Sequence, residues 1–213
     1  MAANAPQGTL IVFAREPIAG RVKRRLIPAL GVDGAARLYR TLLDIALDAA
    51  NAVPGVKREL WYAGSPLEGG VCAELASRNG MALRRQPAGN LGVRMAAAMS
   101  EALTNSGRVV LIGSDCPDYS PEFLTAAFAA LDKVEAVLGP AADGGYVLIG
   151  LRRMAPELFT DIPWGGGRVL GCTRTALRGL GWTWTELPTL RDLDRPGDLG
   201  PFGKLLQDGR PKN

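Results

Sequence analysis

Residues 108–124, RVVLIGSDCPDYSPEFL, constrain the fold more than any other stretch. Val109, Val110, Leu111 and Ile112 form a short apolar run rich in β-branched side chains, entered from a polar Asn-Ser-Gly turn. A run of this kind reads as a strand buried on both faces, as in sheets covered by helices. It ends at Gly113-Ser114-Asp115. Ser120, Pro121 and Glu122 then supply an N-cap, a first-position proline and an acidic first turn for a helix. Asp115 therefore falls just beyond the carboxyl end of a central strand, where open α/β sheets bind ligands. A carboxylate there can hold a divalent cation, and the cation can clamp a diphosphate. By position alone, Asp115 serves equally well as a turn cap.

A chain of 213 residues is expected to form a single domain, residues 1–213, with its core over about 9–206. Hydrophobic residues make up 47% and charged residues 22%, enough for a sizeable core. The net charge of +4 is spread along the chain, which suits anionic small substrates; no nucleic-acid-binding motif is visible. Histidine is absent, which excludes imidazole bases, Ser-His-Asp triads and His-ligated metals. Cys72, Cys116 and Cys172 make neither a CxxC pair nor a zinc spacing. With no apolar run of membrane-spanning length and no signal-like start, the expectation is a cytoplasmic protein without a membrane span. The ends, 1–7 and 207–213, read as loose tails.

Residues 9–14, TLIVFA, read as a first buried strand, running into a loop that Pro17 and Gly20 keep from early helix. The loop carries Arg15, Arg21, Lys23, Arg24 and Arg25. A cationic loop at the carboxyl end of a first parallel strand is a phosphate site by position and charge. Its spacing matches neither a Walker A loop nor GxGxxG, and a solvated basic loop is the ordinary alternative.

Helices are expected over 34–53, from 66 to 77, and over 91–104, 121–132 and 168–180. A short helix is expected at 156–159. Strands are expected at 58–63, 81–85, 109–112, 135–139, 146–151 and 182–187. Arg94 stands in the first turns of a helix, where a positive charge opposes the dipole unless an anion is near. Asp143-Gly144-Gly145 forms a tight turn. It is either an ordinary hairpin or a place where backbone approaches a substrate with Asp143 on the pocket wall. The loop 163–167 around Trp164 either covers a site or merely links elements. Asp192 and Asp194 lie two residues apart, so on extended backbone both face one way. They are candidates to join Asp115 around magnesium or manganese, although Asp194 alone also suits a helix N-cap before Pro196. Alternation of strand and helix indicates a three-layer α/β/α domain with a mainly parallel mixed sheet.

Four blocks in order, FAREPIAGRVKRRLIPALG, LIGSDCPDYSPEFL, GPAADGGYVLIGL and LRDLDRPGDL, resemble the nucleotide-diphospho-sugar transferase superfamily of GT-A fold. The likeness is to a bacterial family of glycosyltransferase-like proteins, and more distantly to phospholactate guanylyltransferase. It implies that Asp115 is the metal-binding aspartate, with Asp192 and Asp194 completing the metal site. Lys23 and Arg25 would hold nucleotide phosphates, and Asp143, Gly144 and Gly145 would form an acceptor-side turn. The chain departs from the family pattern at Asn90 and near Val93, where relatives carry acidic residues. It departs again at Gly165 and Gly166, where relatives have Ser or Thr after the tryptophan.

The expected activity is metal-dependent glycosyl transfer from a nucleotide-diphospho-sugar to a small-molecule acceptor. Asp115 and Asp143 are the catalytic candidates, and Arg15, Arg21, Lys23, Arg25 and Arg94 would hold the nucleotide. Gly144, Gly145 and Trp164 would lie on the substrate side, with Mg2+ or Mn2+ on Asp115, Asp192 and Asp194. Two alternatives use the same residues. One is nucleotidyl transfer from an NTP to a phosphorylated small molecule with pyrophosphate release; the other is nucleotide binding without catalysis.

Overall fold

The apolar run at 9–14 becomes an inner strand of the sheet, and the rest of the chain is wound around it. In the computed structural model, which describes residues 8–64 and 70–202, the strands are β1 (Thr9–Arg15), β2 (Lys57–Ala63), β3 (Ala82–Arg85), β4 (Val109–Ile112), β5 (Ala136–Pro140), β6 (Tyr146–Leu151) and β7 (Trp184–Glu186). The helices are α1 (Ile27–Asn51), α2 (Val71–Arg78), α3 (Leu91–Leu103), α4 (Pro121–Ala130) and α5 (Val169–Gly179). The strands form one sheet in the order β3-β2-β1-β4-β6-β5-β7. The pairs β3–β2, β2–β1, β1–β4 and β5–β7 are parallel, and β6 alone runs antiparallel to its neighbours. This is the three-layer, mainly parallel mixed sheet that the strand–helix alternation predicts.

Alternation along β1 divides the core. Leu10, Val12 and Ala14 pack on one face with Leu43 and Leu47 of α1, Leu75 of α2 and Leu124 of α4. Ile11 and Phe13 pack on the other with Met95 and Met99 of α3 and Leu170 and Leu177 of α5. Successive strand residues point to opposite faces, so one short run supplies both layers. All four residues of β4 are buried, as expected of a strand covered by helices on both sides.

The elements depart from the sequence reading mainly at their ends. α1 starts at Ile27 rather than at residue 34, but its first turn is broken at Gly31 (φ 71, ψ 170). A continuous helix from 32 onward agrees with the apolar spacing. The strand expected at 182–187 shortens to β7: the Trp182 N–H donates to the Leu177 carbonyl of α5 at 3.1 Å instead of entering the sheet. The helix expected from residue 66 begins at Val71, and residues 65–69 lie outside those described, as do both expected tails. Ser120 caps α4, its side chain accepting the Phe123 N–H at 3.2 Å. No described helix is long and apolar enough to cross a membrane.

The chain leaves β1 toward β2 and β3, then returns through α3 to β4 on the other side of β1. The crevice between the carboxyl ends of β1 and β4 is therefore a topological switch point, where doubly wound sheets bind ligands. Because β6 is reversed, its first residue, Tyr146, meets the carboxyl ends of β4 and β5. The turn at 141–145 is thereby delivered to the same edge.

Gly150 of β6 pairs with Val110 and Val137. A Cβ there would come 2.6 Å from Val137 Cγ1 and 3.1 Å from Leu131 Cδ1. Gly150→Ala is therefore expected to destabilise the fold by about 1–3 kcal/mol through overpacking, read as a lower urea midpoint at unchanged m-value.

Candidate active site

At the switch point lies a cleft of about 550 Å³. Of the residues singled out in the sequence, Arg15, Arg21, Lys23, Arg25, Arg94, Asp115, Asp143, Gly145, Trp164, Asp192 and Asp194 all line it. Gly144 does not. Its backbone is left-handed (φ 89), and a Cβ there would lie 2.2 Å from the Gly167 carbonyl oxygen. Gly144 thus lets the loop at 163–167 approach the hairpin turn instead of forming the wall.

The ionic centre of the cleft is Lys23. Its backbone is left-handed (φ 45, ψ 42), an unusual conformation for a residue with a side chain. The side chain is only 3% exposed, and its ammonium lies 2.7 Å from Asp115 Oδ1 and donates to the Leu193 carbonyl at 2.5 Å. The Leu193 N–H in turn donates to the Asp115 carbonyl at 2.9 Å. A buried ammonium is tolerated only when paired and hydrogen-bonded, and Lys23 has both kinds of partner. The loop after β1, the end of β4 and the late acidic segment are joined at one point.

Asp192 and Asp194 flank the fully buried Leu193, so both reach the cleft from one extended stretch, as their spacing predicts. Asp194 accepts from Arg25 Nη1 at 2.5 Å. It is not the cap of the turn at Pro196–Phe202: the Asp198 carboxylate accepts the N–H groups of Asp194 and Arg195. Asp192 has no ion pair among the described residues, and its carboxylate is hydrogen-bonded there only by its own backbone N–H. Burial, and then the negative charges of Asp143 and Asp115, push its carboxyl up, against the pull of Lys23. Among the described residues no three acidic or cysteine side chains stand close enough to hold a metal in this arrangement; Lys23 and Arg25 engage two of the expected ligands.

Asp143 Oδ1 accepts the Gly145 N–H at 2.8 Å, which closes the turn and directs the carboxylate along the cleft edge. Arg94 donates from Nε to the Gly89 carbonyl at 2.8 Å, so a hydrogen bond holds its guanidinium at the start of α3. Asn90 caps that helix, accepting the Val93 N–H at 3.0 Å, a role that the amide fills as well as an acid would. Cys116, beside Asp115, is buried, which pushes its thiol up to about 12 and leaves it a poor nucleophile.

The sequence reading missed Tyr39 and Gln86. The Tyr39 hydroxyl accepts the Arg15 N–H at 2.7 Å and is 2.9 Å from Ser114 Oγ, so it ties the end of β1 to the end of β4. Burial, then the negative charge of Asp115, push its phenol up. A signal was present: Tyr39 sits in the aliphatic stripe of α1, and a buried tyrosine hydroxyl needs a partner. Gln86, at the end of β3, donates from Nε2 to the carbonyls of Ala14 (3.1 Å) and Trp61 (2.8 Å) and braces the neighbouring strand ends.

A profile of the family described as "uncharacterized protein conserved in bacteria (DUF2064)" matches residues 46–166. The chain belongs to that family. A search of curated proteins found no match. Among solved structures it is similar to a protein from Desulfovibrio desulfuricans provisionally classed as a nucleotide-diphospho-sugar transferase. Identity is 28%, with 94% of this chain and 97% of that one covered and a TM-score of 0.81. The CMP:2-keto-3-deoxy-manno-octonic acid synthetase, solved with CTP, shares the fold at 11% identity, covering 95% and 100% at a TM-score of 0.58. A Mycobacterium tuberculosis protein solved with manganese shares it at 17% identity, covering 94% and 98% at a TM-score of 0.53. The fold is that of the nucleotide-diphospho-sugar transferases, as the four sequence blocks imply.

Two stability tests follow from this geometry. Tyr39→Phe removes a buried hydroxyl and leaves the Arg15 N–H unpaired; it should cost about 1–3 kcal/mol, measured by urea unfolding. Asp192→Asn should raise the melting temperature by a few degrees at most at pH 7 without divalent ions. The folded carboxyl is raised above its ordinary value of 3.8, so ionisation costs stability above that value. The gain should disappear as pH falls through the raised value toward 3.8, where the acid is protonated in both folded and unfolded chains.

Proposed function

We propose that this chain is a transferase of nucleotide-activated groups, acting on a nucleotide-diphospho-sugar. The observation that carries the reading is the Lys23–Asp115 contact, which brings a cationic loop and an acidic strand end into one cleft at the switch point. Arg15, Arg21, Arg24 and Arg25 line that cleft together with Lys23, a charge density that suits the oxygens of a diphosphate. The solved relative at 28% identity, provisionally classed as a nucleotide-diphospho-sugar transferase, supports the same reading.

The carboxylate oxygens of Asp115, Asp192 and Asp194 are of the chemistry that magnesium or manganese takes, and they would reach one ion only once Lys23 and Arg25 leave Asp115 and Asp194. Asp192 is a half-buried carboxylate with no ion pair among the described residues, under the field of Asp143 and Asp115, and hard divalent cations take carboxylate oxygens. Asp115, Asp192 and Asp194 would hold the ion, with Lys23 and Arg25 released to the phosphates. When bound, the ion supplies charge neutralisation for a departing diphosphate.

In the transfer, the acceptor hydroxyl oxygen forms a bond to the anomeric carbon. The bond from that carbon to the β-phosphate oxygen breaks, with its electron pair leaving on the nucleoside diphosphate. Lys23 and the arginines of its loop bind and orient that diphosphate and offset its growing charge. The Asp143 carboxylate, on the acceptor side of the cleft, takes the hydroxyl proton.

A second reading, nucleotidyl transfer from an NTP, is favoured by the number of cations in the loop, which would also serve a triphosphate. Thermal-shift measurements with magnesium or manganese separate the two. A nucleotide-diphospho-sugar near a hundred times its dissociation constant should raise the melting temperature of the wild type by roughly 5–10 °C. It should leave Asp115→Asn unshifted. A shift by NTPs alone moves the assignment to nucleotidyl transfer, with pyrophosphate release as the assay. No shift by either class overturns the transferase reading.

A further inference from the structure

The cleft has two chemically distinct halves, one on each face of the sheet. Leu193 packs with Leu26, just before α1, and with Leu38 and Leu42 on α1, which places the Lys23–Asp115 and Arg25–Asp194 pairs on the α1 side. The other half is walled by Phe13, Met95, Leu111 and Val169, each 3–7% exposed, and by Tyr146 and Trp164. Tyr146 and Trp164 meet edge to face, with ring centroids 6.3 Å apart. The Tyr146 hydroxyl is buried beside Thr173 of α5, so the cleft receives its ring and not its oxygen. The cation on this side, Arg94, is tied at Nε to Gly89.

Two glycines shape this half. A Cβ on Gly92 would lie 2.4 Å from the Phe159 carbonyl oxygen and 2.5 Å from Trp164 Nε1. The indole therefore rests directly on the first turn of α3, which holds it as a rigid wall. Gly166 is different. It lines the cleft, its φ is not in the left-handed range, and a Cβ there would meet only the Pro163 carbonyl oxygen, at 3.5 Å. Nothing in the packing requires glycine at 166, so the space above it belongs to the cleft.

We infer that this half binds the acceptor, and that the acceptor is an uncharged alcohol carrying an apolar ring, such as an aryl glycoside, rather than a phosphorylated compound. The inference rests on the glycosyl-transfer reading. Rings pack against Trp164 and Tyr146 without desolvating a charge, and the acceptor hydroxyl is left facing Asp143 at the boundary of the two halves. A phosphate in this half would lose hydration against apolar walls, with only Arg94, already bonded at Nε to Gly89, as the cation beside it among the described lining residues.

The test is saturation-transfer NMR and titration of phenyl β-glucoside and glucose 1-phosphate against wild type, Gly166→Val, which fills the space, and Trp164→Ala, which removes the wall. Phenyl β-glucoside should bind the wild type and lose about tenfold or more in affinity in either variant. Glucose 1-phosphate should bind more weakly than the aryl glycoside, and the nucleotide-induced thermal shift should be unchanged in Gly166→Val. The inference is overturned if phenyl β-glucoside does not bind the wild type, if glucose 1-phosphate binds more tightly, or if both variants keep full affinity. It is also overturned if Gly166→Val abolishes the nucleotide shift, since the nucleotide would then occupy this half. A wild type that binds the aryl glycoside but no nucleotide sinks the transferase reading instead, and leaves the ring-binding half standing.

Discussion

The Lys23 ammonium, held between the Asp115 carboxylate and the Leu193 carbonyl, is the interaction on which the site depends. Lys23 and Leu193 are 170 positions apart in the chain, and no secondary structure links them. A buried ammonium without an anion is strongly unfavourable, so the three segments are stable in this arrangement only together. The left-handed backbone of Lys23 is the strain this contact has to offset. The same contact sets the charge of the site, placing one buried cation among the carboxylates of the cleft.

The sheet decides what that centre faces. Reversal of the chain between β3 and β4 opens the crevice beside β1, and the antiparallel β6 brings Asp143, Tyr146 and, through Gly144, the loop at 163–167 to the same edge. Side-chain alternation along β1 then separates the environments. One face meets α1 and the ion pairs; the other meets α3 and α5 and is apolar. The cleft therefore has an ionic half and an apolar half side by side. Tyr39 and Gln86 act on its frame: Tyr39 joins the ends of β1 and β4 beyond their last backbone pair, and Gln86 bonds to β1 and β2 where their pairing still runs.

Much of this was legible in the sequence because it is local. The runs at 9–14 and 109–112, the cap at Ser120, the acidic pair around Leu193 and the basic loop after β1 each follow from side-chain period, turn chemistry or charge within a few residues. The placement of Asp115 beyond a central strand, and of Asp192 and Asp194 on one face, rests on the same local geometry. The shortening of β7 was not legible, since it depends on the Trp182 N–H meeting a carbonyl of α5.

By itself, the sequence determined the alternating strands and helices, the cationic and acidic segments and the lack of imidazole chemistry, because hydrophobic period and composition act within the chain. Only the tertiary structure decided that Lys23 would rest on Asp115 and Leu193, that Gly144 would support a loop instead of lining the cleft, and that Tyr39 would join two strand ends. The physical reason is one of distance. A hydrogen bond or ion pair acts over about 3 Å, and which groups come that close is set by the order of strands and the direction of each crossing, which no local run of residues contains.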